Sequence, residues 1–206
     1  MNLRERFLDF ARAAGAAPSE VAERWWRVVE LRYSEPHRHY HTLAHIEHLL
    51  ELLPHADETV LAAVWFHDAI YDGPQNEERS AALARSALTE LNFSAESIAL
   101  VERMILATKT HDADALPEAA LAFLDADLAI LGSDDDRYRE YVAQVRQEYA
   151  QYPDDAFRAG RNAILRAFLE RPRIYFTEEF RTRFEAKARE NLAREIATTW
   201  VLGAEC

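Results

Sequence analysis

Apolar residues recur along this chain at helical spacing, and no run alternates with the period of two that a half-buried strand requires. Nine helices are predicted. Ser19 can cap the first, with Val21, Trp25, Val28 and Val29 on one stripe. Thr42 can cap the next, with Leu43, Ile46, Leu49, Leu50 and Leu53 inward, Glu47 and Glu51 outward, and Pro54 as its end. Asp57 opens a third, read from Glu58 to Tyr71, and Asn76 a fourth, to Leu91. Ser94 opens a fifth, and Pro117 takes the first-turn position of a sixth that Gly132 closes after Leu131. Ser133 and three aspartates open the seventh; Tyr138, Tyr141, Val142, Val145 and Tyr149 point inward. Asp154 opens the eighth, with Ile164, Leu165, Phe168 and Leu169. Thr177 opens the last, with Phe180, Phe184, Ala188, Leu192 and Ile196. The stretch Arg171–Phe176, with Pro172 inside it, is the best candidate hinge. The fold expected is all-α, one domain spanning 1–206.

Composition narrows the class. The 36 acidic residues outnumber the 24 basic ones, a formal charge of −12, so the chain lacks the basic face of a nucleic-acid duplex binder. Five glycines are too few for a Gly-rich phosphate loop, and the single Cys206 excludes an internal disulfide or a Cys-based zinc site. Met1–Phe10 carries Arg4, Glu5, Arg6 and Asp9, unlike the apolar core of a signal peptide. With no apolar run of about 18 residues to enter a membrane, a cytoplasmic protein is expected.

Histidines and misplaced carboxylates carry the chemistry. Five of the 8 histidines lie in His37–His48. At about 100° per residue, His45 falls at the edge of the face set by Ile46, Leu49 and Leu53, and His48 falls on the polar side with Glu47 and Glu51. His41 precedes that helix by about one turn and can reach the same neighbourhood. The third helix is apolar all round yet contains His67-Asp68, and a buried carboxylate there needs a partner. The sixth repeats the anomaly with Asp125 and Asp127, which lie about 200° apart on the helical wheel, so only one of them can reach a shared site. Each segment alone is explained by a hydrogen-bond network. Three together are better explained by one cation held by mixed nitrogen and oxygen ligands, which suit Mn, Fe, Co, Ni, Mg or Zn.

The runs Arg38-His39-Tyr40-His41-Thr42-Leu43-Ala44-His45, Trp65-Phe66-His67-Asp68-Ala69-Ile70-Tyr71-Asp72 and Phe123-Leu124-Asp125-Ala126-Asp127-Leu128 resemble the HD superfamily of metal-dependent phosphohydrolases. The resemblance is to a bacterial subgroup of predicted HD phosphohydrolases of about this length, and it covers most of residues 30–150. It implies an all-helical metal-site core there, with helices over 154–203 packing on it. It implies one divalent ion on His45, His67, Asp68 and Asp127, the last chosen over Asp125 because that family's final ligand is an Asp before an apolar residue. Tyr40-His41-Thr42-Leu43-Ala44-His45 is also similar to the cyclic-nucleotide phosphodiesterase pattern, which makes His41 a candidate general acid beside Asp68, ligand and orienter of the attacking water. Arg38, Tyr71, Lys109 and His111 become candidates for substrate contact, and Asp72, Glu77, Glu78 and Asp125 for carboxylates around the ligands. Only His111 lies between the His-Asp pair and the last Asp, which disfavours the di-iron oxygenase branch and leaves a second, weaker ion near His111 open.

The implied activity is hydrolysis of a small phosphorylated compound, a nucleotide first. The alternative is a regulatory module that holds a nucleotide or phosphate on a structural metal without cleaving it. Trp25, Trp26 and Trp200 suit either a core or the interface of a homodimer.

Overall fold

A computed structural model describes residues 1–15, 17–113 and 116–201; Cys206 and the side chain of Trp200 lie outside the described residues. Among them the structure is all-helical, with no strand. The chain divides into two compact units, Met1–Leu124 and Asp125–Cys206.

The first unit contains α1 (Leu3–Gly15), α2 (Ser19–Tyr33), α3 (Leu43–Leu52), α4 (Glu58–Phe66), α5 (Asn76–Glu90), α6 (Ala95–Ala107) and the start of α7 (Glu118–Asp127). Helix α1 was not among the nine predicted. Its buried stripe is short and interrupted by charge, with Phe7, Phe10 and Ala11 inward among Arg4, Glu5, Arg6 and Asp9. Tertiary packing makes it a helix. Phe7 stands 5.3 Å from Trp65 and 5.9 Å from Trp26, ring to ring. Trp26 meets Trp65 edge-on at 6.3 Å, and Trp25 meets Phe66 at 6.4 Å. Trp25 and Trp26 are therefore core residues rather than an exposed interface. Each such aromatic pair contributes about 0.5–1.5 kcal/mol beyond area burial, and together they hold the C-terminal end of α4 in place.

Caps follow the expected chemistry in part. Asp57 accepts from Val60 N at 2.9 Å and Ser94 from Ser97 N at 3.1 Å. Asp57→Ala should lower stability by about 1 kcal/mol, read by urea unfolding. Thr42 flanks α3 without a side-chain cap bond. Ser19 is a first helical residue rather than a cap, that place going to Pro18, whereas Asn76 and Asp154 open their helices as expected. No helix among the described residues is long and apolar enough to cross a membrane.

The second unit begins at the end of α7, which does not run on to Leu131. After Asp127 the chain tightens into a 3-10 turn, Leu128–Gly132. Gly132 is required there because an added Cβ would lie 2.6 Å from Phe184 Cβ. Helices α8 (Asp135–Glu148) and α9 (Asp154–Glu170) follow, then the single turn α10 (Glu178–Phe180), a π-helical turn Arg181–Glu185 and α11 (Ala186–Val201). The cap of α8 is Asp134, not Ser133; it accepts from Asp136 N and Arg137 N. On α9 the buried stripe is Leu165 and Phe168, and Ile164 is exposed. Arg161 pairs with Glu195 at 2.9 Å, Tyr138 Oη donates to Glu195 at 2.6 Å, and burial pushes the Tyr138 phenol well up.

The stretch Arg171–Phe176 is not a hinge. Ile174 and Tyr175 are fully buried, their N–H groups donate to the Glu185 carboxylate, and Tyr175 Oη donates to Leu128 O at 3.0 Å.

Candidate metal centre

The His-Asp pair lies just past the end of a helix. Helix α4 stops at Phe66, five residues before the predicted Tyr71, and His67 is its C-cap, with N–H bonded to Ala63 O. Past that point the carbonyls have no helical partners. They are satisfied from outside: Arg38 donates to Asp68 O at 2.7 Å and Ala69 O at 3.1 Å. Tyr33 Oη accepts from Asp68 N at 3.2 Å, and Ser80 Oγ accepts from Ile70 N at 3.0 Å. Tyr33 and Ser80 are not among the site residues expected from the sequence. Tyr33 carried a signal, since it continues the buried Trp26–Val29 stripe of α2 and a buried phenol needs a partner.

His67 is buried, and its Nδ1 donates to Val64 O at 3.0 Å. A carbonyl only accepts, so Nδ1 carries a proton, and in the neutral tautomer Nε2 is the ring's lone-pair nitrogen. That Nε2 faces Asp68 Oδ2 at 3.1 Å and His45 Nε2 at 3.1 Å. An imine nitrogen and a carboxylate oxygen both present lone pairs, so a proton or a cation must stand between them. The donor set fits a cation: adjacent nitrogens bound to one ion at about 2.1 Å lie about 3 Å apart.

His45 is buried in the first turn of α3, and Tyr40 covers it at 5.0 Å between rings. Phe123, on α7, meets the His67 ring edge-on at 5.6 Å. Asp127 is the last residue of that helix, one turn beyond Phe123. One donor atom from each of His45, His67, Asp68 and Asp127 lies within 4.8 Å of the others, so the group can hold a metal ion.

His41 approaches the same carboxylate, Nε2 to Asp68 Oδ2 at 3.9 Å, and its ring stacks on Tyr71 at 4.1 Å. Arg38 does not offer its guanidinium to a phosphate: the side chain is fully buried and committed to Glu35, His41 O, Asp68 O and Ala69 O. Lys109 is exposed and paired with Glu78, each shifting the other toward its charged form. His111 is half-buried in the turn after α6, with φ of 46°. Asp72 is exposed and held low by Arg79, and Glu77 is half-buried in the first turn of α5. His37 and His39 are exposed, whereas His48 is half-buried.

Asp125 turns away from Asp127, as the wheel requires. It is fully buried and accepts from Phe176 N at 2.7 Å, Thr177 N at 2.8 Å and Thr177 Oγ1 at 2.7 Å. Its carboxyl is raised by desolvation, partly offset by those bonds. Both of its oxygens accept from the strap before α10, so it is an internal anchor of the second unit.

The described residues define an all-helical protein with a histidine–carboxylate group able to hold a metal ion. The chain matches no family model, no curated protein and no solved structure.

Proposed function

We propose that this chain is a metal-dependent phosphohydrolase of the HD type, acting on a small phosphorylated compound, with nucleotides the first class to try. One observation carries the reading: donor atoms of His45, His67, Asp68 and Asp127 converge, with His67 Nε2 3.1 Å from both the Asp68 carboxylate and His45 Nε2. His45, His67, Asp68 and Asp127 would hold the ion. When bound, a divalent ion supplies Lewis acidity toward a phosphoryl oxygen and lowers the pKa of water toward neutrality.

The chain's own groups supply the rest. The Asp68 carboxylate binds and orients the attacking water. His41, partly exposed and braced by the Tyr71 ring, holds a proton for the leaving oxygen. The acidic surface is no obstacle, because the local ion dominates the field a substrate phosphate meets.

The test is phosphate release from a panel of nucleotides, phosphomonoesters and phosphodiesters with Mn, Co, Ni or Mg, against a His67→Ala background. Turnover above that background supports the reading. A nucleotide that raises the melting temperature yet stays intact through long incubation would replace it with the regulatory-module reading. His41→Asn should lower kcat about 100-fold with metal content unchanged; equal kcat would remove His41 from the proton-donor role.

A further inference from the structure

Beside the candidate centre the Arg38 side chain is buried completely. Taking an arginine out of water costs several kcal/mol unless its charge and donors are met. The sequence supplies one carboxylate, Glu35 at 3.1 Å, and the remaining contacts are backbone carbonyls from two segments far apart in the chain. Nη1 donates to His41 O at 3.1 Å and to Asp68 O at 2.7 Å, and Nη2 donates to Ala69 O at 3.1 Å. Tyr33 and Tyr71 flank the group, 5.1 and 5.6 Å from ring centre to Cζ.

These contacts couple the two segments that matter. The loop before α3 carries His41, and the turn after α4 carries His67 and Asp68. Beyond the end of α4 the backbone keeps a turn bond from Ala69 N to Phe66 O at 3.1 Å, and the carbonyls of Asp68 and Ala69 are met by Arg38. A rigid guanidinium plane that grips both segments fixes their spacing, which a flexible ammonium with its three rotatable donors cannot reproduce.

Resting on the metal reading above, we infer that Arg38 is a positioning residue: it sets the Asp68 carboxylate against His67 and His41 by clamping the carbonyls of His41, Asp68 and Ala69. Removing the clamp leaves all four ligands in the sequence but lets the Asp68 turn drift. Loss of such outer support costs about 10–100-fold in metal affinity.

The experiment is a Mn²⁺ titration by electron paramagnetic resonance at 10 °C, on the full chain, with melting temperatures recorded for each protein. Wild type, Arg38→Lys, Arg38→Gln and Arg161→Lys are compared. The Arg161 variant disturbs a different buried arginine, that of the Glu195 network in the second unit, and reports what destabilisation alone does. The expected result is a 10–100-fold weaker Mn²⁺ affinity in both Arg38 variants, with Arg161→Lys unchanged. A merely structural role for Arg38 would lower the melting temperature and leave the affinity of the folded protein alone. Arg38→Lys keeps the charge and the Glu35 pair, and carries the test should Arg38→Gln fail to fold. Affinity within twofold of wild type in Arg38→Lys overturns the inference and leaves the metal reading standing. Absence of Mn²⁺ binding in wild type overturns the metal reading first, and this inference with it.

Discussion

Replacing His67 by alanine is expected to abolish metal binding and with it any hydrolytic turnover. His67 is the hub of the group: its Nε2 is 3.1 Å from both His45 Nε2 and Asp68 Oδ2, and its tautomer is set by the Val64 carbonyl. Loss of an outer partner alone costs about 10–100-fold in affinity, so loss of this ligand should cost more than 100-fold. The check is metal content by plasma mass spectrometry on protein purified without added metal or chelator. About one ion per chain in wild type and none in His67→Ala is the expected result. A thermal shift gives an independent readout. An ion present at 100 times its Kd stabilises by about 2.7 kcal/mol, so a chelator should lower the melting temperature of wild type by about 5–10 °C and leave His67→Ala unmoved. A chelator without effect on metal-loaded wild type would instead favour a polar network with no cation.

The neighbouring aspartates of α7 are expected to behave oppositely. Asp125→Ala leaves Phe176 N, Thr177 N and Thr177 Oγ1 without their acceptor in a buried setting. Unsatisfied buried donors cost about 1–3 kcal/mol each, and partial relaxation toward water brings the expected loss to about 3 kcal/mol. That corresponds to a fall of roughly 6–12 °C in melting temperature for a chain of this size, with metal content preserved. Asp127→Ala should do the reverse, losing the metal while costing the apoprotein little. Metal loss in Asp125→Ala and retention in Asp127→Ala would exchange their roles.

The pH dependence has a definite sign. Burial raises the Asp125 carboxyl above its unfolded value, so the folded state binds its proton more tightly. Its contribution to stability is therefore complete below the unfolded carboxylate pKa and declines as pH rises through the raised value. The penalty of Asp125→Ala should be larger at pH 3 than at pH 7. Urea unfolding of both proteins across that range measures it.

The helical class, most helix positions and the residues of the candidate centre were legible in the sequence, because periodicity and burial of apolar stripes are local properties. His67-Asp68 and the two aspartates of α7 stood out because charge in an apolar run demands a partner. The wheel also separated Asp125 from Asp127, although it could not say which faced the other ligands.

Tertiary structure alone decided the rest. Helix α1 has too thin a stripe to declare itself and forms against Trp26 and Trp65. Helix α4 stops at Phe66, although the apolar pattern runs on to Tyr71, because Arg38, Tyr33 and Ser80 bond the backbone that the helix abandons. The strap before α10 carries a proline and reads as loose, yet Asp125 and Glu185 hold its N–H groups from elsewhere in the chain. In each case the deciding bond joins residues distant in sequence, where periodicity has no reach. A sequence pattern shows which side chains need partners; only the folded chain chooses the partners.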